Sequence, residues 1–184
     1  MRSCEAPLPL AKHRRAPGCS SFAAAPRDAH PSSVLVVTAP TIRPLRSDER
    51  TTWEPLWQGY LTFYKATISD DVTALTWQRL HDETEPMHVF GAFEGETLLG
   101  IVHYIFHRST WTVGPYCYLQ DLFTVPEARG KGVGRALIQA VYDKAAEVGA
   151  SRVYWLTHES NAEAMVLYNK VADRSGFLQY RKMI

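Results

Sequence analysis

The stretch Arg129-Gly130-Lys131-Gly132-Val133-Gly134-Arg135 constrains this chain more than any other. It follows the apolar run Leu122-Phe123-Thr124-Val125-Pro126 and opens a long amphipathic pattern. A strand, a glycine-rich turn and a helix N-terminus in that order build an anion site. Unpaired backbone N–H groups and the positive end of the helix dipole meet there, and glycine lets the main chain approach where a Cβ would hold the anion off. Spacing then selects among phosphate-binding turns. A P-loop needs G-x-x-x-x-G-K-[ST], which Arg135 and Ala136 after the last glycine rule out. The dinucleotide fingerprint G-x-G-x-x-G/A fails too, since its third position falls on Arg135 counted from Gly130 and on Leu137 counted from Gly132. What remains is R-x-x-G-x-G on Arg129, Gly132 and Gly134.

At 184 residues the chain suits one well-buried core and is short for two. No apolar run approaches a membrane span, and a formal net charge of +1 gives no general argument for nucleic acid or an anionic membrane as partner. Three cysteines, with only Cys117 inside the expected domain, point to a reducing, cytoplasmic setting without structural disulfides. Residues 1–38 differ from the rest: Arg2, Lys12, Arg14, Arg15 and Arg27 face only Glu5 and Asp28, among clustered Pro, Ser and Ala. They read as a disordered leader or an extended start, with an organellar transit peptide as the open alternative. The folded domain is expected at 39–184.

Within it, strands and helices alternate. Ile42 to Leu45 reads as a short strand, and Ser47 or Asp48 as the cap of a helix bearing Trp53, Leu56, Trp57, Tyr60, Leu61 and Tyr64 at helical spacing. Asp70 or Asp71 caps a second helix with Val72, Leu75 and Leu80. His88 to Phe93 and Thr97 to His107 form a hairpin, followed by a strand from Tyr116 to Val125. Strict alternation puts Leu119, Asp121, Phe123 and Val125 on one face of that strand and Tyr118, Gln120, Leu122 and Thr124 on the other. The helix after the glycine turn ends near Gly149. Arg152 to Thr157 reads as a strand, Asn161 opens a last helix bearing Ala164, Met165, Leu167, Tyr168 and Val171, and Gly176-Phe177 begins a final strand.

The R-x-x-G-x-G turn after a strand ending in Val125-Pro126, with this order of elements, resembles the GNAT superfamily of acyl-CoA-dependent N-acyltransferases. The likeness covers about residues 40–182 and is densest from Leu119 to Phe177. It implies an α/β fold of the α+β type, with a mixed, mostly antiparallel sheet of about six to seven strands, splayed at the cofactor-binding strand and flanked by about four helices. It implies acetyl-CoA as co-substrate and no metal. The pyrophosphate would sit on the amides of Gly130, Lys131, Gly132, Val133, Gly134 and Arg135, with the side chains of Arg129, Lys131 and Arg135 beside it. The pantetheine arm would pair with the exposed main chain of Phe123, Thr124 and Val125. Asn161 resembles the family asparagine that contacts the cofactor, although a plain N-cap would explain it equally. Tyr168 matches the family tyrosine that protonates or hydrogen-bonds the departing thiolate, an apolar-face packing role being the alternative.

The implied reaction is direct attack of a neutral amine on the thioester, so a base must first take a proton from the ammonium. Asp121 is the first candidate, because a carboxylate between Leu119 and Phe123 on an apolar face is costly without a task. His158, beyond the strand, is an alternative base, and a water chain a third route. Cys117 has no adjacent base in sequence and reads as a small core residue. The long segment from Tyr168 to Phe177 resembles a subgroup that acetylates polyamines, amino acids or histone tails and often pairs as homodimers. Gln120 departs from the polyamine-acetylating members, which tend to carry a second acid there. Trp53 and Trp57 would help wall the acceptor pocket together with Gln120, Asp121 and His158, aromatic faces suiting an ammonium. From Ala39 to Ile184 the chain carries 15 basic and 17 acidic residues, which mildly suits a cationic acceptor. The expected activity is transfer of acetyl from acetyl-CoA to a primary amine of a small molecule. A protein-lysine acceptor and a non-catalytic acyl-CoA-binding module are the alternatives.

Overall fold

A computed structural model describes residues 39–184; the expected leader at 1–38 lies outside the described residues, as do Cys4 and Cys19. Strand β1 (Thr41–Pro44) leads through a short 3₁₀ turn at Ser47–Glu49 into α1 (Arg50–Phe63) and α2 (Asp70–Arg79). Then come β2 (Met87–Glu94), β3 (Thr97–His107), β4 (Tyr116–Thr124), α3 (Val133–Glu147), β5 (Arg152–Tyr154) and α4 (Ala162–Val171). These strands stand in sequence order, antiparallel except for the parallel pair β4 and β5.

Alternation along β3 sorts the core into two layers. Ile101, with Val89 and Phe93, packs under α1 and α2 against Trp53, Leu56, Trp57 and Trp77. Val102 and Tyr104 face the other way, onto Leu137, Ile138 and Val141 of α3. Gly59 lets α1 lie close on β4, since a Cβ there would come within 2.7 Å of the Phe123 ring.

Several details differ from the sequence reading. Among the described residues the sheet has five strands rather than six to seven, and β5 is three residues long instead of reaching Thr157. The segment beginning at Gly176-Phe177 forms no strand: Phe177, Leu178 and Tyr180 are 83%, 80% and 91% exposed. Apolar alternation signals a strand only where an edge is available to pair with, and this tail pairs with none of the described strands. Ser69, not an aspartate, caps α2 by accepting from the Val72 amide, and Val72 and Leu75 are exposed while Thr73 and Trp77 are buried.

The largest correction concerns β4. Asp121 pairs with His103 and Leu119 with Tyr104, so Gln120 has no opposite residue and forms a bulge. A bulge reverses the alternation. Leu119 therefore joins the α3 layer, whereas Asp121 and Phe123 turn towards α1.

Candidate active site

Among the described residues the edge of β4 is free beyond Tyr118, because β5 pairs only with Tyr116 to Tyr118. The opposite edge stays in the sheet, where Ile101 and Gly100 stand opposite Phe123 and Thr124 and the Val125 amide donates to Leu99 O. A one-sided strand of this kind leaves main-chain donors and acceptors for a ligand that mimics an added strand.

At its end the chain turns into α3. Gly132 caps the helix in the left-handed region, at φ 84° and ψ 0°, and Gly130 is also left-handed at φ 74°. Among the described residues no side chain caps α3, and its first helical bond runs from the Ala136 amide to Gly132 O. The amides of Val133, Gly134 and Arg135, in the first turn of α3, thus have no intrahelical partner. Arg129 and Arg135 stand beside them.

One cavity of about 400 Å³ gathers these parts. Its lining includes Phe123 and Thr124 of β4, Arg129, Gly130, Gly132, Val133, Gly134 and Arg135 of the turn, and Asn161 and Tyr168. Phe63, Tyr64, Leu122, Glu163, Leu167 and Lys170 complete much of it. Lys131 faces a second concavity that shares Gly132 and Arg135 with the first. Val125 does not line the cavity and packs between the two core layers. Asn161 precedes α4, but its side chain donates to Thr157 Oγ1 at 3.1 Å and caps no helix amide.

Tyr168 stands edge-on to Trp155, with ring centres 5.3 Å apart. Its hydroxyl has no hydrogen-bond partner among the described residues. Burial, with a smaller contribution from Tyr64, pushes its phenol up to about 12. Cys117 is fully buried, and burial raises its thiol to about 12, which leaves it a core residue.

Asp121, 8% exposed, does not line the cavity. Its carboxylate takes a 3.0 Å contact from His103 Nδ1. Burial raises the Tyr60 phenol well above its ordinary value, and the neighbouring Asp121 carboxylate, which its hydroxyl can donate to, adds to this. Burial and then Asp121 also raise Tyr118. Tyr64 lines the cavity with Tyr168, and its ring lies 4.9 Å from that of Tyr60.

The remaining sequence candidates are placed differently. Trp53 has no exposed surface and hydrogen-bonds His103. Trp57 stacks on Tyr60 at 5.4 Å, and its buried indole nitrogen has no partner among the described residues. Gln120 is exposed at the bulge, and His158 is exposed and paired with Ser160 Oγ at 2.7 Å. Sequence reasoning missed His103. The signal lay in hairpin register: a histidine in the apolar run Gly100 to Phe106 falls opposite Asp121 once β3 and β4 are paired.

A half-free strand, a glycine turn at a helix start and a tyrosine meet in one cavity. The Acetyltransferase (GNAT) family matches residues 45–172, so the chain belongs to this family of acetyl-CoA-dependent N-acetyltransferases. It is 35% identical over 143 residues to the D-amino-acid N-acetyltransferase HPA3 of Saccharomyces cerevisiae, covering 77% of this chain and 89% of that protein. Thialysine N-epsilon-acetyltransferase of Caenorhabditis elegans is 34% identical over 48% of this chain and 55% of its own length. The structure of AAC(6')-Iy with a CoA-linked bisubstrate analog shares the fold with a TM-score of 0.68 at 17% identity, covering 80% of this chain and 100% of the other.

Proposed function

We propose that this protein transfers acetyl from acetyl-CoA to the primary amine of a small molecule, an amino acid or a similar amine, by direct attack. The observation that carries the reading is that the uncapped start of α3 and the unpartnered hydroxyl of Tyr168 share one cavity. Relatives named for D-amino acids and thialysine support a small acceptor. The left-handed Gly132 and the free amides of Val133, Gly134 and Arg135 suit a pyrophosphate, and the open edge of Phe123 and Thr124 suits the pantetheine amides. Acetyl-CoA supplies the activated acyl carbon and a sulfur leaving group.

The chain's own residues then handle protons. An alkylammonium has an ordinary pKa of about 10.4, so at neutral pH it arrives charged. The Asp121 carboxylate attracts it and takes one proton, directly or through water. The nitrogen lone pair then bonds the acyl carbon as the C–S bond breaks, and the electron pair of that bond leaves on sulfur. Tyr168, held at about 12, keeps its proton firmly. A thiol ordinarily titrates near 8.5, roughly three to four units lower, so Tyr168 stabilises the thiolate as a hydrogen-bond donor. The proton shed by the nitrogen on bond formation neutralises the sulfur.

Tyr168→Phe tests the reading: acetyl-CoA affinity is kept while turnover falls about tenfold or more. Unchanged turnover removes Tyr168 from the mechanism. Thiol release against D- and L-amino acids, polyamines and histone peptides identifies the acceptor; tight CoA binding with no turnover on any of them favours a non-catalytic module. The same proposal includes a reducing, cytoplasmic setting, supported by the buried free Cys117. It also includes a homodimer, supported by the exposed apolar tail from Phe177 to Ile184.

A further inference from the structure

Asp121 is held by a chain of buried side chains. Trp53 of α1 donates its indole N–H to His103 Nε2 at 2.9 Å, and His103 Nδ1 lies 3.0 Å from Asp121 Oδ2. Trp53, His103 and Asp121 are 0%, 3% and 8% exposed, so water does not compete for these bonds. An indole nitrogen only donates. Nε2 must therefore present its lone pair, which puts the single ring proton on Nδ1, aimed at the carboxylate.

The surroundings hold the ring in place. Trp57 of α1 lies 5.2 Å from it between ring centres, Trp77 of α2 packs on Trp53 at 4.8 Å, and Val89 is its cross-strand neighbour on β2. From β4 the group facing His103 is the Asp121 carboxylate, and α1 adds the Tyr60 hydroxyl beside that carboxylate.

We infer that His103 is the positioning residue for Asp121, with Trp53 selecting the tautomer that lets it serve. The ring fixes one carboxylate oxygen, and the remaining lone pairs are left for the incoming ammonium. A neutral ring also preserves the charge of Asp121, whereas a second proton on Nε2 would confront the Trp53 N–H and cancel that charge. This inference rests on the role proposed for Asp121 above.

Nitrogen NMR of the histidine-labelled wild-type enzyme reads the tautomer directly. A protonated Nδ1 and a lone pair on Nε2 at neutral pH are expected; the opposite tautomer, or a doubly protonated ring, overturns the inference. Kinetics read the consequence. His103→Leu should lower kcat/KM for the amine about 10- to 100-fold, the range for losing a hydrogen bond to a charged group, while acetyl-CoA affinity holds. His103→Asn, whose amide N–H can replace Nδ1–H, should recover most of that loss. Wild-type kcat/KM in His103→Leu, or no recovery in His103→Asn, overturns the inference, and should the leucine variant fail to fold, the spectrum and the asparagine variant decide. Trp53→Phe leaves Nε2 without its donor, so kcat/KM for the amine should fall and the nitrogen spectrum should no longer show a single tautomer. Wild-type kcat/KM with a single Nδ1–H tautomer in Trp53→Phe refutes the part given to Trp53. Asp121→Asn separates the two levels: wild-type activity there removes the role of Asp121 itself, whereas an impaired Asp121→Asn with an unimpaired His103→Leu removes His103 alone.

Discussion

Two glycines two residues apart in the same turn should respond to alanine in opposite directions. Gly132 sits at φ 84°, and a Cβ added there would meet nothing within 4 Å, so the whole cost of Gly132→Ala is conformational. The left-handed region costs an L-residue about 1–2 kcal/mol. For a domain of this size each kcal/mol is about 2–4 °C, so Tm should drop about 2–8 °C. Gly134 lies in the first turn of α3, where an added Cβ would stand 3.4 Å from Leu167 Cδ2 and 3.8 Å from Thr124 Oγ1, ordinary van der Waals contacts. Alanine gains up to about 1 kcal/mol over glycine in a helix, so Gly134→Ala should leave Tm unchanged or raise it by up to about 4 °C. That methyl nonetheless projects into the gap between β4 and α4 where the carrier would lie. CoA binding by calorimetry should therefore weaken about tenfold or more in Gly134→Ala, a loss of about 1.4 kcal/mol, without any loss of stability. Wild-type CoA affinity in Gly134→Ala would place the ligand elsewhere, and a Tm at or above wild type in Gly132→Ala would refute the left-handed cap.

Arg43 donates to both carboxylate oxygens of Glu49 at 2.7 and 2.8 Å, and this hydrogen bonding, with the Arg46 amide, holds the Glu49 carboxyl down at about 2. A depressed carboxyl stabilises above its ordinary value of about 4.3 and loses that contribution as pH falls through about 2, so Glu49→Gln should lower Tm at neutral pH and narrow the gap in acid; a Tm deficit independent of pH would refute this. Truncation after Ser175 should convert a dimer to a monomer in light scattering, and a wild-type chain already monomeric at micromolar concentration refutes the pairing.

The half of the candidate site around the glycine turn was legible as local structure because its determinants lie close together in the sequence. Glycine spacing, a preceding apolar strand and a following amphipathic helix fix the geometry from Phe123 to Arg135 within a few residues, and Tyr168 and Asn161 arrive on the next helix. The acceptor half depends on what lies across the sheet. Trp53 and Trp57 look alike as helix-face aromatics, yet one is fully buried on His103 and the other stacks on Tyr60 beside Asp121. His103 acquires meaning only through register with β4. The tail from Gly176 carries a strand's apolar pattern, but a strand also needs an edge, and sequence alone does not say where that edge lies.

The bulge at Gln120 connects the two halves. One unopposed residue turns Asp121 from the α3 layer, where strict alternation would leave a carboxylate among Leu137 and Val141, to the α1 layer, where His103 and Tyr60 can satisfy it. A bulge also sharpens strand twist. Pairing with β5 stops at Tyr118, just before the bulge, and the free edge that follows is the one carrying Phe123 and Thr124. The irregularity that satisfies the candidate base thus stands where β4 parts from its neighbour, so amine and thioester would be brought to the same few residues of one strand.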